Sequence, residues 1–215
     1  MTWVDFRVAD WVARPVSPVG NVDRPEPCPV PYLRRRFTAD GQIARAVLAV
    51  SALGVHETTI NGTPISPNLF DPGWTEYRHR LLYSAYDVTA LIQTGENVLA
   101  AAVGDGWWRG NLTWMKRRAV YGSTTALLAQ LEIEYSDGKR QIVATDEYWK
   151  GATGGLLEAD FYNGCELDLR SEPLGWRDQG FDDSGWEGVS ILPLPAGLEL
   201  RSAPAVRIVK QFEVA

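Results

Sequence analysis

Histidine, cysteine and long apolar runs are all scarce in this 215-residue chain. With only His56 and His79 present, a site built from three or more imidazoles is excluded. No serine lies in a Gly-x-Ser-x-Gly elbow, so histidine-activated nucleophilic catalysis has no sequence signal. Cys28 and Cys165 make neither a metal-binding spacing nor a disulfide framework, which fits a reducing compartment. No stretch approaches the roughly twenty apolar residues of a membrane helix. The opening residues, MTWVDFRVADW, carry Asp5 and Asp10 and lack the basic-then-apolar order of a secretion signal. For the chain as given, the expectation is a cytoplasmic protein with no membrane partner. An excess of basic residues is missing too: the net charge is -6, whereas a phosphate-backbone partner requires a concentrated Lys/Arg surface. Nucleic acid is therefore not an expected partner.

What is present in quantity is tryptophan (9), glycine (20) and proline (13), set among short periodic runs. That combination favours an all-β sandwich of short strands and tight corners over a helical fold. Residues 1–30 read as an N-terminal arm, with Trp3, Phe6 and Trp11 as spaced anchors and a Pro-rich stretch that excludes a regular element. Residues 31–215 read as the sandwich domain. Strands are expected over 32–38, 44–51, 55–60, 81–88, 97–103, 125–135, 139–145, 156–162, 166–170 and 206–214, with one helical turn over 90–93. The clearest alternation is TALLAQLEIEY, which turns Leu131, Ile133 and Tyr135 inward and Glu132 and Glu134 outward. The basic runs Arg34–Arg36 and 116–118 read as the wet side of a strand and a solvated loop, and GATGG (151–155) as a flexible corner.

Hydrolysis of a glycosidic bond requires two carboxylates facing each other across a cleft. Glu132 and Glu134 share a wet face, and Asp182 or Asp183 reads as the cap of a single helical turn ahead of Trp186. His56 reads as outward-facing, and His79 lies between two arginines, so neither is a promising base. Trp107 and Trp108 carry a different signal. On a strand, neighbours point to opposite faces, so one of the two stands at the surface as a platform for the C–H side of a sugar, or as a rim residue half covered by a loop. The stretch EADFYNGCELDLR brings Glu158, Asp160, Asn163, Glu166 and Asp168 together at a sheet end. Calcium takes six to eight oxygen ligands of these types, which makes Asp160, Glu166 and Asp168 candidate metal ligands; pinning a loop by hydrogen bonds is the alternative use.

The motifs PYLRRRF (31–37), VHETTING (55–62), DPGWTEYRHRLLYSAYDVTALI (71–92), GDGWWRG (104–110), FYNGCELDLR (161–170) and FDDSGWEGV (181–189), in that order, resemble the N-terminal β-sandwich region of bacterial α-L-rhamnosidases. The resemblance implies a jelly-roll sandwich of the galactose-binding type, lying ahead of an (α/α)6 barrel that holds the catalytic carboxylates. No stretch here offers the long amphipathic helices of such a barrel. The expected function is thus a non-catalytic module whose partners are L-rhamnosides and a C-terminal catalytic domain of the same enzyme. Some modules of these enzymes resemble carbohydrate-binding modules that hold L-rhamnose beside calcium. This gives the alternative of an autonomous L-rhamnose-binding module using Trp107 or Trp108 as platform and Asp160, Asn163 or Asp168 as polar contacts, with or without calcium. The family usually has Gly-Glu where this chain has Gly164-Cys165, with Glu166 one place later and so on the other side of a strand.

Overall fold

The computed structural model describes residues 6, 8–115 and 117–213. Its strands are β1 (Val16–Pro18), β2 (Pro31–Ala39), β3 (Ile43–Leu53), β4 (Val55–Ile60), β5 (Thr63–Pro64), β6 (Arg80–Asp87), β7 (Gly95–Gly104), β8 (Ala126–Tyr135), β9 (Arg140–Ala144), β10 (Lys150–Thr153), β11 (Leu156–Asp160), β12 (Gly164–Leu167), β13 (Glu187–Ile191) and β14 (Gly197–Leu200). One layer runs β14-β6-β3-β8, with β9 and β1 both against β8; the other runs β13-β10-β2-β7-β4-β5, and β1 joins the two by pairing with β13. The expected all-β jelly-roll sandwich is the fold found.

Side-chain alternation decides what fills the space between the layers. Leu48, Val50 and Ala52 of β3 and Leu127, Ala129, Leu131 and Ile133 of β8 meet Leu33 and Phe37 of β2, Leu99, Ala101 and Val103 of β7 and Ile60 of β4. The other register of β7, Val98, Ala100 and Ala102, faces outward and is also buried, against Tyr32 and Trp176 beneath a cover that includes Leu156, Phe181 and Trp186. A strand buried on both faces needs apolar residues at every position, which is why this one reads as a continuous apolar run. Among the described residues no helix is long and apolar enough to cross a membrane.

The second cover accounts for several departures from the sequence reading. Arg34, expected on a wet face, is 1% exposed, because the chain around Phe181 and Asp183 folds over it; its guanidinium pairs with Asp183 and lies 5.3 Å from the Phe181 ring centroid. Asp183 caps no helix; the segment is a turn closed by Trp186 N–H on the Asp183 carbonyl. The GATGG corner begins as a strand, β10, between β2 and β13, and the space a Cβ would occupy at Gly151 is filled by Pro18. Within the Pro-rich stretch, Val16 to Pro18 form β1, and the Gln130 side chain accepts from the Val12 N–H at 2.9 Å. Trp3 and Val214 lie outside the described residues. The apolar alternation over 206–213 forms no strand, and within it only Val206 pairs, with Leu69; the edge of β6 is taken in parallel by β14.

Candidate functional site

Three loops meet at one end of the sandwich: 66–79 ahead of β6, 105–125 between β7 and β8, and the β11–β12 turn. At the close of β7, Gly104 and Asp105 lead into a single helical turn, α1 (Gly106–Arg109), where a strand was expected. Gly106 makes this turn possible. Its φ is +52°, and a Cβ there would lie 3.0 Å from the backbone of Gly54 and Val55. Gly106→Ala is expected to destabilise the domain by about 2–3 kcal/mol, from left-handed backbone cost plus overpacking, read as a lower denaturant midpoint with unchanged slope.

Consecutive residues on a helix stand about 100° apart, enough to send the two tryptophans to different environments. Trp108 turns in: it is 7% exposed, donates from Nε1 to the Thr124 carbonyl at 2.8 Å and packs edge-on against Tyr77. Trp107 stays half-exposed. Its ring is parallel within 6° to that of Trp74, with centroids 6.1 Å apart, and 4.2 Å from that of Phe161. Phe70 packs edge-on to both Trp107 and Phe161. Trp74 and Phe70 are 54% and 44% exposed, so the four rings form one patch. Nothing in the sequence reading joined Trp74 to Trp107, 33 positions away.

Beneath the patch is a buried ionic network. Asp105 accepts from Arg109 Nε at 2.6 Å and from Arg118, and Arg109 donates to Asn21 Oδ1 at 2.8 Å. Arg118 was expected in a solvated loop, yet its side chain is 12% exposed and also contacts Asp160 at 3.2 Å. Asp160 accepts from the backbone N–H of Asn111 at 2.6 Å, of Tyr162 at 2.8 Å and of Asn163 at 3.1 Å. It therefore ties two of the three loops together.

Those donors leave Asp160 ill-suited to calcium, since a cation would displace Arg118 and three N–H groups. Asp168 accepts from the Arg170 guanidinium and backbone, which hold its carboxyl below its ordinary pKa. Glu166 is exposed and faces Glu158 across the hairpin, while Asn163 donates to Glu158 at 2.9 Å. Among the described residues no three His, Cys, Asp or Glu side chains gather as metal ligands. The proposed set of Asp160, Glu166 and Asp168 does not fit the ion.

Beside the patch, a groove of about 370 Å³ is lined by residues that include His56, Glu57, Asn68, Phe70, Phe161 and Arg177. His56, expected to face outward, is 9% exposed. Burial first of all, with Arg201 adding and Asp71 opposing, pushes its pKa down to about 4. Asp71 accepts from Arg201 and from the Tyr86 hydroxyl. Burial, followed by the Asp71 charge, pushes Tyr86 up to about 12.

The buried carboxylates are thus already committed: Asp71 to Arg201, Asp105 to Arg109 and Arg118, Asp160 to Arg118, and Asp183 to Arg34, Arg36 and Lys150. A general acid for glycoside cleavage needs a raised pKa. The carboxylates whose pKa the fold moves, Asp87, Asp137, Asp168, Asp182 and Asp183, are all shifted down.

The fold and the site define a jelly-roll β-sandwich module with an aromatic patch at one loop end and its buried carboxylates held in ion pairs. More particularly, the chain belongs to the α-L-rhamnosidase N-terminal domain family, whose family model matches residues 41–210. An α-L-rhamnosidase of Streptomyces avermitilis is 38% identical over 192 residues, covering 86% of this chain and 18% of that protein. The crystal structure of Streptomyces avermitilis α-L-rhamnosidase complexed with L-rhamnose superposes with a TM-score of 0.82 at 37% identity, over 85% of this chain and 18% of the other. The native Aspergillus terreus enzyme gives 0.81 at 32% identity, over 85% and 21%. The chain spans about a fifth of the length of these relatives.

Proposed function

We propose that the chain serves as the N-terminal sandwich module of an α-L-rhamnosidase, associates with a catalytic domain of the same polypeptide, and contacts the L-rhamnoside through the Trp74–Trp107 patch without cleaving it. The observation that carries the non-catalytic reading is the commitment of Asp71, Asp105, Asp160 and Asp183 to cations. A carboxylate locked to a guanidinium neither delivers a proton nor activates water. With a chromogenic α-L-rhamnoside, the isolated chain is expected to give the buffer rate. Turnover abolished by a single carboxylate substitution would overturn the reading.

A second reading, the autonomous sugar-binding module, is favoured by the exposure of Trp74 and its parallel stacking on Trp107. Titration calorimetry of the isolated chain with L-rhamnose tests it, because an autonomous module gives heat without a catalytic domain. Heat that is unaffected by a chelator and lost in Trp74→Ala supports direct recognition without calcium. No heat at millimolar sugar leaves the scaffolding role alone.

A further inference from the structure

The Trp74–Trp107 patch does not end at the tryptophans. Phe161, 4.2 Å from Trp107, and Phe70, 5.1 Å from Phe161, also line the adjoining groove. The two phenylalanines are therefore a shared wall with the patch on one side and the groove on the other. At about 370 Å³ the groove falls within the range of roughly 300–1,000 Å³ typical of small-molecule sites. We propose that this groove is a second saccharide subsite, continuous with the aromatic patch, so that the loop end takes a rhamnosyl disaccharide or longer chain in preference to a lone sugar. This rests on the reading that the patch itself contacts sugar.

The polar lining suits hydroxyl groups. Glu57 and Arg177 pair at 3.5 Å with side chains 79% and 36% exposed, so the groove carries both a donor and an acceptor with their charges mutually cancelled. An anionic ligand gains little from such a pair, whereas a neutral polyol can bond to both members. The fold also leaves polar capacity unused around the groove: His56 Nε2 and Arg177 Nε are buried without a hydrogen-bond partner. An unpaired buried polar atom keeps the full cost of its lost hydration, which a hydroxyl that reached it would recover. His56 stays neutral above about pH 4 and so presents a hydroxyl-matched group. A second cavity, of about 220 Å³, continues past His56, Glu57 and Arg177 and gives room for chain beyond the second sugar.

The test is calorimetry on the folded chain with L-rhamnose and with α-L-rhamnosyl-(1→6)-D-glucose. The disaccharide is expected to bind at least about tenfold more tightly. Arg177→Ala and, separately, the exposed Glu57→Ala are expected to cut that ratio to about threefold or less. Trp74→Ala is expected to weaken both sugars about tenfold, and thermal melts verify the fold of each variant. Equal affinities in the wild type, or a ratio unmoved in both groove variants, overturn the second subsite while leaving the patch intact. Absence of heat from either sugar removes both.

Discussion

Asp105→Ala is expected to cost about 3–5 kcal/mol, the range observed when one member of a buried ion pair is removed. Arg109 is 0% exposed, and its remaining side-chain partner, Asn21, is neutral. Its Nη2 has no partner even in the intact network. Losing Asp105 strands this guanidinium in the interior and also frees Arg118, which pins the loop to Asp160. For a domain of this size the loss corresponds to a fall in Tm of roughly 6–20 °C. Asp105→Asn keeps one acceptor for a guanidinium and should lose less. Because Asp105 immediately precedes the turn that sets Trp107 against Trp74, the near-ultraviolet circular dichroism of the stacked pair should weaken in step. An alanine variant within about 1 kcal/mol of the wild type would show that Arg109 finds solvent or another partner at little cost.

The same network shows which parts of this protein the sequence discloses. Leu131, Ile133 and Tyr135 alternate with Glu132 and Glu134 on a strand with one buried face, so a period of two is visible without knowing the partner strands. β4 was likewise legible over its whole length, from Val55 to the Asn61–Gly62 turn. Arg34 was not, because its counter-charge is Asp183, 149 positions away, and a lone arginine on an alternating strand gives no hint of a lid. Arg118 failed for the same reason, its partners being Asp105 and Asp160. His56 was assigned by alternation to the outer face of β4, but loop residues 66–71 cover that face.

The site was legible in part. One of Trp107 and Trp108 was expected at the surface, with no choice between them and by strand geometry; it is Trp107 that stays half-buried at the patch, and the two separate because a helical turn starts at Gly106, whose positive φ is invisible to a strand pattern. The signal available in the sequence was the Gly-Asp-Gly spacing before the tryptophans, since paired glycines mark a sharp change of backbone direction. Asp160 was picked out by its chemistry, but carboxylate type alone does not separate a metal ligand from an acceptor of backbone N–H groups. That distinction depends on the loop closing over it, through Asn111, Tyr162 and Asn163.

Asp183→Asn should show a second large effect, one that depends on pH. Asp183 is 2% exposed and meets Arg34, Arg36 at 3.1 Å and Lys150 at 3.0 Å. Burial alone would raise its pKa, but the hydrogen bond from Lys150 and the charges of Arg34, Arg36 and Lys150 outweigh it, and the net shift is downward. The unfolded chain then takes up this proton first, at its ordinary pKa of about 3.9. The carboxylate's contribution is therefore complete above about pH 4 and is lost as pH falls through the lower folded value. At pH 7 the asparagine variant, which leaves Arg34 buried beside a neutral group, is expected to lose about 3 kcal/mol or more. Since Arg34 keeps the carbonyls of Phe181 and Asp178 as acceptors, the protein should still fold. Denaturant midpoints measured from pH 3 to 7 should show the wild type losing stability on acidification more steeply than Asp183→Asn, with the two curves converging at the acid end. Parallel curves would place the acid sensitivity elsewhere, in surface carboxylates such as Asp87 or Asp168, whose folded pKa values are also lowered.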